Sequence, residues 1–386
     1  MIVSLLMADL KKTVENILET VDVQVNGPRP WDIQIHNEGF YARVLGGGSL
    51  GLGESYMDGW WDCEAVDQFM TRILGGRIDK QVKGKRPSFF LMLLRARFSN
   101  AQSKKRAYIV GEKHYDMGND LFSLMLDERM NYSCGFWKEA DNLNQAQEDK
   151  LDLICRKMQL EPGMSVLEIG CGWGAFAKYA AENYGVSVYG VTISKEQKIL
   201  AEEICQGLNV TFELKDYREL NTEYDRIVSI GMFEHVGYKN YREYMEVANR
   251  CLKDDGLFLL HTIGRNTSDT TTDAWTNKYI FPNGMTPSTE QVGAATEGLL
   301  QIEDWHSFGQ YYDTTLMAWH DNFQRHWSEI EGTYDERFRR MWQYYLLTAA
   351  ASFRARRSQL WQLVLSKGGV RGGYSYKNNP RFEQDI

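Results

Sequence analysis

The stretch "SVLEIGCGWGAFAKYA", residues 165–180, decides the fold. It reads as an apolar strand, "SVLEIG", turning through Gly170, Gly172 and Gly174 into a helical pattern, "AFAKYAAENY". Glycines at such a turn let the backbone approach a ligand where a Cβ would clash. The spacing is GxGxG, without the later third glycine of a dinucleotide site, where a helix N-terminus faces a pyrophosphate. Trp173 would crowd that group, and an acid, Glu168, stands just before the loop. An acid beside a glycine turn suits a cationic ligand better than a phosphate. S-adenosylmethionine, with its amino group and sulfonium, fits the loop Gly170, Cys171, Gly172 and Gly174; a tight turn with no ligand is the competing reading.

Working outward, strand-like runs recur at 186–193, 210–216, 225–230 and 256–264, separated by helical patterns, with weaker candidates at 299–308 and 360–366. Strands alternating with helices predict an α/β fold, a mostly parallel sheet covered by helices on both faces. Ligands of such sheets bind at the carboxyl ends of the strands. The second strand ends "GVTISKEQ", with no acid for ribose hydroxyls, so Thr192, Ser194 and Gln197 are left to supply neutral hydrogen bonds. The third ends in Asp216 and Tyr217; Asp216 reads either as an acceptor for an adenine amine or as a helix N-cap. After the fourth, "SIGMFEHVG" (229–237) puts Glu234 at the crevice, where it holds a ligand, caps the next helix or pairs with a cation.

At 386 residues two domains are expected. The reading divides them into residues 1–95, a linker at 96–110, and a catalytic domain at 111–386. The first is a smaller α+β domain, with a helix near 7–20, strands in "WDIQIHN" and "FYARVL", and turns through "GGGSLGLGESYMDGWWDCE". The composition, 43% apolar and 25% charged, is that of a globular protein, and no apolar run reaches the roughly 18–20 residues that span a bilayer. The N-terminal apolar run precedes its lysines, the reverse of a secretory signal, so a cytoplasmic location is expected. Six cysteines without a CxxC pair or a Cys/His cluster predict reduced thiols and no metal site.

Net charge is −8, yet residues 77–106 carry ten basic residues against one acid, Asp79, which leaves the remainder at −17. Within that segment lies "SFFLMLLRARF" (88–98). A basic stretch around large apolar side chains reads either as a membrane-surface element or as a buried helix with a solvated edge leading into the linker.

Several ordered segments resemble the cyclopropane-fatty-acyl-phospholipid synthases and the related mycolic acid cyclopropane synthases. They are "GLGESYMDGWWDCE", "HYDMGNDLF", "NYSCGFW", "LEIGCGWG", "GVTISKEQ", "SIGMFEHVG", "LLHTIG", "NKYIFPNG" and "YYDTTLMAW". They cover nearly the whole chain. The resemblance implies a class I S-adenosylmethionine-dependent methyltransferase, Rossmann-like, with a seven-stranded sheet. It further implies transfer of a methylene group to the cis double bond of a phospholipid acyl chain, at the surface of a bilayer. An alkene is a poor nucleophile, so a sulfonium methyl is a fitting electrophile. Attack leaves a carbocation-like centre that aromatic faces can stabilise. The new methyl must then lose a proton, which needs a base in a dry site.

By the same resemblance that base is a bound bicarbonate, held by Cys134, Glu234, His261, Ile263 and Tyr312, with Ile263 and Cys134 contributing backbone groups. Tyr132 and Ser133 would touch the cofactor, and the first domain would serve lipid binding and dimerisation, giving a peripheral homodimer with no nucleic-acid partner. His114 and His235 read as structural. Some relatives carry a cysteine where this chain has Ala349, so that cysteine cannot be required here. The alternatives are a methyltransferase that leaves a methyl branch without closing the ring, an N- or O-methyltransferase of small molecules, and a silent lipid-binding protein.

Overall fold

The computed structural model of the protein describes residues 2–78, 118–377 and 379. Most of the basic segment, the linker at 96–110, and His114 therefore lie outside the described residues. Two compact units emerge. One joins the described N-terminal residues with Thr270–Pro282 and Tyr312–Ser358; the other joins residues from 118 to Asp269 with Asn283–Tyr311 and the chain from Gln359. The units thus cross the linear order of the chain, since two stretches from within 111–386 cluster with the N-terminal residues.

The larger unit is built on a seven-stranded sheet. In chain order its strands are β3 (Ser165–Ile169), β4 (Ser187–Thr192), β5 (Val210–Leu214), β6 (Tyr224–Ile230), β7 (Leu252–Gly264), β8 (Gln301–Ser307) and β9 (Gln359–Ser366). Their order across the sheet is β5-β4-β3-β6-β7-β9-β8, parallel up to β7, with β9 antiparallel to both β7 and β8. This is the mostly parallel α/β sheet expected, and both weaker strand candidates belong to it. The order reverses at β3, so the crevice lies beyond the carboxyl ends of β3 and its neighbours, where the glycine loop follows.

Alternation along the strands sends side chains to two cores. On one face Leu167, Ile169, Ile227, Phe258, Leu260, Leu363 and Leu365 pack with Tyr241, Tyr244 and Met245 of the helix Tyr241–Cys251. On the other, Val166, Val188, Val228, Leu257, Leu259 and Val364 pack with Leu151 and Ile154 of the helix Leu143–Lys157 and with Phe176 and Ala180 of the helix Ala175–Tyr184. Burying such side chains on both faces is the dominant stabilising term, roughly 25 cal/mol per Å² of apolar surface.

The smaller unit is mostly helical. Two-residue strands, β1 (Gln34–Ile35) and β2 (Trp61–Asp62), pair antiparallel. The structure corrects two local expectations. "FYARVL" lies in a helix, Gly39–Gly47, not a strand, and the glycine-rich run after it forms the helix Ser49–Met57, not turns. Packing overrides β-propensity and glycine content here. Arg43 of the first helix bonds Glu54 and Asp58 across to the second, at 3.1 and 2.7 Å. Gly51 and Gly53 are needed because a Cβ would collide with the Arg43 carbonyl or the Trp275 ring. Trp61, fully buried, is ringed by Phe40, Tyr56, Phe69 and Tyr344.

Candidate active site

The glycine loop adopts the conformation its sequence demands. Gly170, Gly172 and Gly174 have φ of 85°, 52° and 85°, a left-handed region that other residues rarely enter. The N–H groups of Gly170 and Cys171 are tied to the Val191 carbonyl at 2.9 and 3.1 Å, fixing the turn to β4. Among the described residues, and apart from its two chain neighbours, nothing lies within 4 Å of where a Cβ of Gly172 would stand. Trp173 is anchored within the fold. It is buried, its Nε1–H donates to Asn119 Oδ1 at 3.0 Å, and its ring packs on Phe122 at 5.0 Å.

Glu168, only 2% exposed, points to the face covered by the helix 143–157. Its Oε2 is buried without a hydrogen-bond partner. Burial drives its carboxyl well above the usual range, and the charge of Lys150 pulls the other way. A buried, unsatisfied carboxylate oxygen before the loop is suited to receive an ammonium group, which the amino acid portion of S-adenosylmethionine carries.

Thr192, Ser194 and Gln197 come together and bond one another. Thr192 Oγ1 donates to Gln197 Oε1 at 3.0 Å, and Ser194 caps the helix Lys195–Ile204 by accepting from Gln197 N–H at 3.3 Å. Asp216 is an N-cap: it accepts from Arg218 N–H at 3.0 Å, and also takes Nε and Nη2 of Arg218 at 2.8 and 2.7 Å. A bond to an adenine amine would be additional to these. Tyr217 is buried in the core against Tyr244, their ring centroids 5.0 Å apart.

The segment 131–134 is held from below by a fully buried lysine. Lys150 Nζ donates to Asn131 Oδ1 at 2.8 Å and to Ser133 Oγ at 3.0 Å, while Gln147 Nε2 donates to the Ser133 carbonyl at 2.7 Å. Burial lowers the Lys150 ammonium to about 8. Tyr132 packs edge-on to Phe122 at 5.1 Å, and Cys134 is wholly buried.

Glu234 and His261 come from neighbouring parallel strands, β6 and β7, with Ile230, four residues before Glu234, opposite His261. Glu234 lies in a short 3-10 turn, Phe233–His235, just past β6. Its Oε1 accepts the Ile263 N–H at 2.6 Å, and its Oε2 is buried without a partner. Burial pushes this carboxyl up to about 7, against the Ile263 donor. Among the described residues it makes no ion pair, and the following helix has Asn240, not Glu234, at its N-cap. His261 is 1% exposed, with Nδ1 against Gln362 Nε2 at 3.2 Å and Nε2 buried without a partner. Burial, aided by the charges of Lys150 and Lys157, holds it far below its ordinary range, so the ring is neutral. Phe308 packs near His261 at 6.0 Å and near Phe136, two residues past Cys134, at 5.5 Å.

Tyr312 belongs to the smaller unit, where its ring stacks on Phe353 at 4.6 Å. His235 is half-buried, and desolvation lowers its imidazole to about 4. The sequence reading passed over Lys150, Lys157, Gln362 and His306. For the lysines a signal existed: Gln147, Lys150 and Lys157 recur at helical spacing within the buried stripe of Leu143, Ala146, Leu151 and Ile154.

The segment 102–363 matches the Mycolic acid cyclopropane synthetase family. The chain is 55% identical over 364 residues to the cyclopropane-fatty-acyl-phospholipid synthase of Escherichia coli (strain K12), with 94% of each chain covered. It is 32% identical over 369 residues to the tuberculostearic acid methyltransferase UfaA1 of Mycobacterium tuberculosis, covering 89% of this chain and 84% of that one. Among solved structures, the cyclopropane synthase MmaA2 from Mycobacterium tuberculosis superposes with a TM-score of 0.64 at 32% identity, over 67% of this chain and 98% of that one. The mycolic acid cyclopropane synthase CmaA1, complexed with SAH and CTAB, superposes with a TM-score of 0.63 at 31% identity, over 67% and 98% of the two chains.

Proposed function

The chain belongs to the mycolic acid cyclopropane synthetase family and is an S-adenosylmethionine-dependent enzyme of the methyltransferase class. From that premise we propose that it transfers a methylene group to the cis double bond of unsaturated phospholipid acyl chains, closing a cyclopropane ring with bound bicarbonate as the base. The substrate is carried by one observation, the 55% identity over 94% of the chain to the phospholipid synthase of Escherichia coli.

The base is supported by two buried polar atoms left unsatisfied near the carboxyl ends of neighbouring strands, Glu234 Oε2 past β6 and His261 Nε2 on β7. With Gln362 donating to Nδ1, the His261 proton resides on Nε2 and that atom is a donor. Glu234 Oε2, when ionised, is an acceptor. An acceptor on one and a donor on the other suit a bicarbonate, which has an O–H to give and oxygens to receive. When bound, that ion would supply the base for the methyl proton. Glu234 and His261 would hold and orient it, and their burial keeps water from competing. Cys134 completes the proposed set within this unit, and Tyr132, Ser133, Glu168 and the glycine loop would hold the methyl donor.

We further propose that the enzyme works from the surface of a phospholipid bilayer through the basic segment 77–106. Among the described residues no helix is long and apolar enough to cross a membrane.

The test is mass spectrometry of lipids after incubation with methyl-deuterated S-adenosylmethionine. Ring closure expels one deuteron, so the product keeps two of three. A product keeping all three is a methyl branch, and an unlabelled lipid fraction contradicts the reading altogether.

A further inference from the structure

One face of the sheet carries a row of polar side chains in an otherwise apolar layer. His261 on β7 is opposite Gln362 on β9, and Gln362 is opposite His306 on β8. All three are at most 9% exposed, and Gln362 is fully buried. The row continues into the helix 143–157, where Lys157 Nζ meets His306 Nδ1 at 3.1 Å and Asp304 Oδ2 at 3.4 Å. A fully buried amide in a central strand is destabilising for each polar atom left unpaired. A leucine or valine, like its neighbours Leu360 and Val364, would avoid that cost. Gln362 is therefore retained for something other than stability.

The geometry points to Gln362 as a positioning residue for the reaction, one that sets the tautomer of His261; this deepens the bicarbonate reading and rests on it. An amide NH₂ can only donate, so Gln362 Nε2 at 3.2 Å obliges His261 Nδ1 to accept. The ring's one proton then sits on Nε2, the buried atom left free for an anion. At the far end Lys157, which also can only donate, fixes His306 in the same sense, with its Nδ1 accepting. Without Gln362 the neutral ring would exchange freely between tautomers, and in one of them Nε2 would repel the oxygen it is meant to hold.

The test replaces Gln362 by Glu, which keeps size and shape but offers an acceptor where the amide offered a donor. Nitrogen-15 NMR of histidine-labelled protein, with the His261 signals identified from a His261→Asn control, reads the tautomer directly. In the wild type His261 should show protonated Nε2 and bare Nδ1. Gln362→Glu should move the proton to Nδ1, lower turnover at least about fiftyfold, raise the bicarbonate concentration needed for half-maximal rate, and leave SAH affinity within about twofold. Wild-type His261 protonated at Nδ1 overturns the proposal whether or not the variant folds, as does a folded Gln362→Glu enzyme with unchanged rate. The tautomer is read without bicarbonate. A correct tautomer in an enzyme indifferent to bicarbonate therefore removes the base assignment, and with it Gln362's role in the reaction, while a wrong tautomer in a bicarbonate-dependent enzyme removes only the role of Gln362.

Discussion

The Ile263 N–H donates to Glu234 Oε1 at 2.6 Å, binding the turn after β6 to the last residues of β7. This bond commits one carboxylate oxygen to structure, with the Thr262 side chain also acting on the carboxyl. Oε1 is fixed, and Oε2 is buried with no partner. Ile263 thus acts through its backbone, but toward Glu234 in this structure. Glu234 is a tethered acceptor with one buried oxygen left over, which a helix cap or a surface ion pair would not produce.

The same burial makes stability depend on pH. Glu234 is raised from 4.5 to about 7, so the folded state keeps a proton that the unfolded chain has released between those values. Stability from this group is then full below pH 4.5 and is lost as pH rises through about 7. Glu234→Gln removes the ionisation. The variant should be more stable than wild type at pH 8 by about 1–3 kcal/mol, the advantage vanishing near pH 4.5. Urea midpoints across that range measure it; equal midpoints at pH 8 would mean the carboxylate is well solvated.

Gly172 tests the placement of the methyl donor. Its φ of 52° and the open space beside its Cα mean that a valine would strain the turn and project into that space. Gly172→Val should fold, with a loss of about 1–2 kcal/mol from the left-handed conformation. Calorimetric titration should find no SAH binding. Wild-type affinity would move the cofactor away from this loop.

The sheet was legible because its signals are local and redundant: apolar runs of strand length, helical spacing between them, and glycines at the one turn where the strand order reverses. The smaller unit was less so. "FYARVL" has the composition of a strand, and contacts distant in sequence, such as Arg43 to Glu54 and Asp58 and the close approach at Gly51, accompany its helical form. Glu234 and His261 could be named from their places past and on neighbouring strands. Gln362 could not, because its meaning comes from β9 inserting between β7 and β8, a pairing between residues 101 apart in sequence.

The basic segment carries the membrane proposal. Each basic residue near an anionic leaflet contributes at most about 1 kcal/mol, falling with distance and salt. Changing Lys104, Lys105 and Arg106 together to Glu should weaken sedimentation with anionic vesicles by tenfold or more, and leave turnover on detergent-dispersed lipid within about twofold. Unchanged vesicle binding would reduce the segment to a connector.

The most direct test of Glu234 and His261 as holders of a bicarbonate is the rate of methylene transfer in carefully degassed buffer, with and without added bicarbonate, for wild type and Glu234→Gln. Wild type should be slow when degassed and recover at least tenfold on addition. Glu234→Gln should bind SAH normally, turn over at least a hundredfold more slowly, and show no recovery. A wild-type enzyme indifferent to bicarbonate, or a Glu234→Gln enzyme running at the normal rate, would contradict the account.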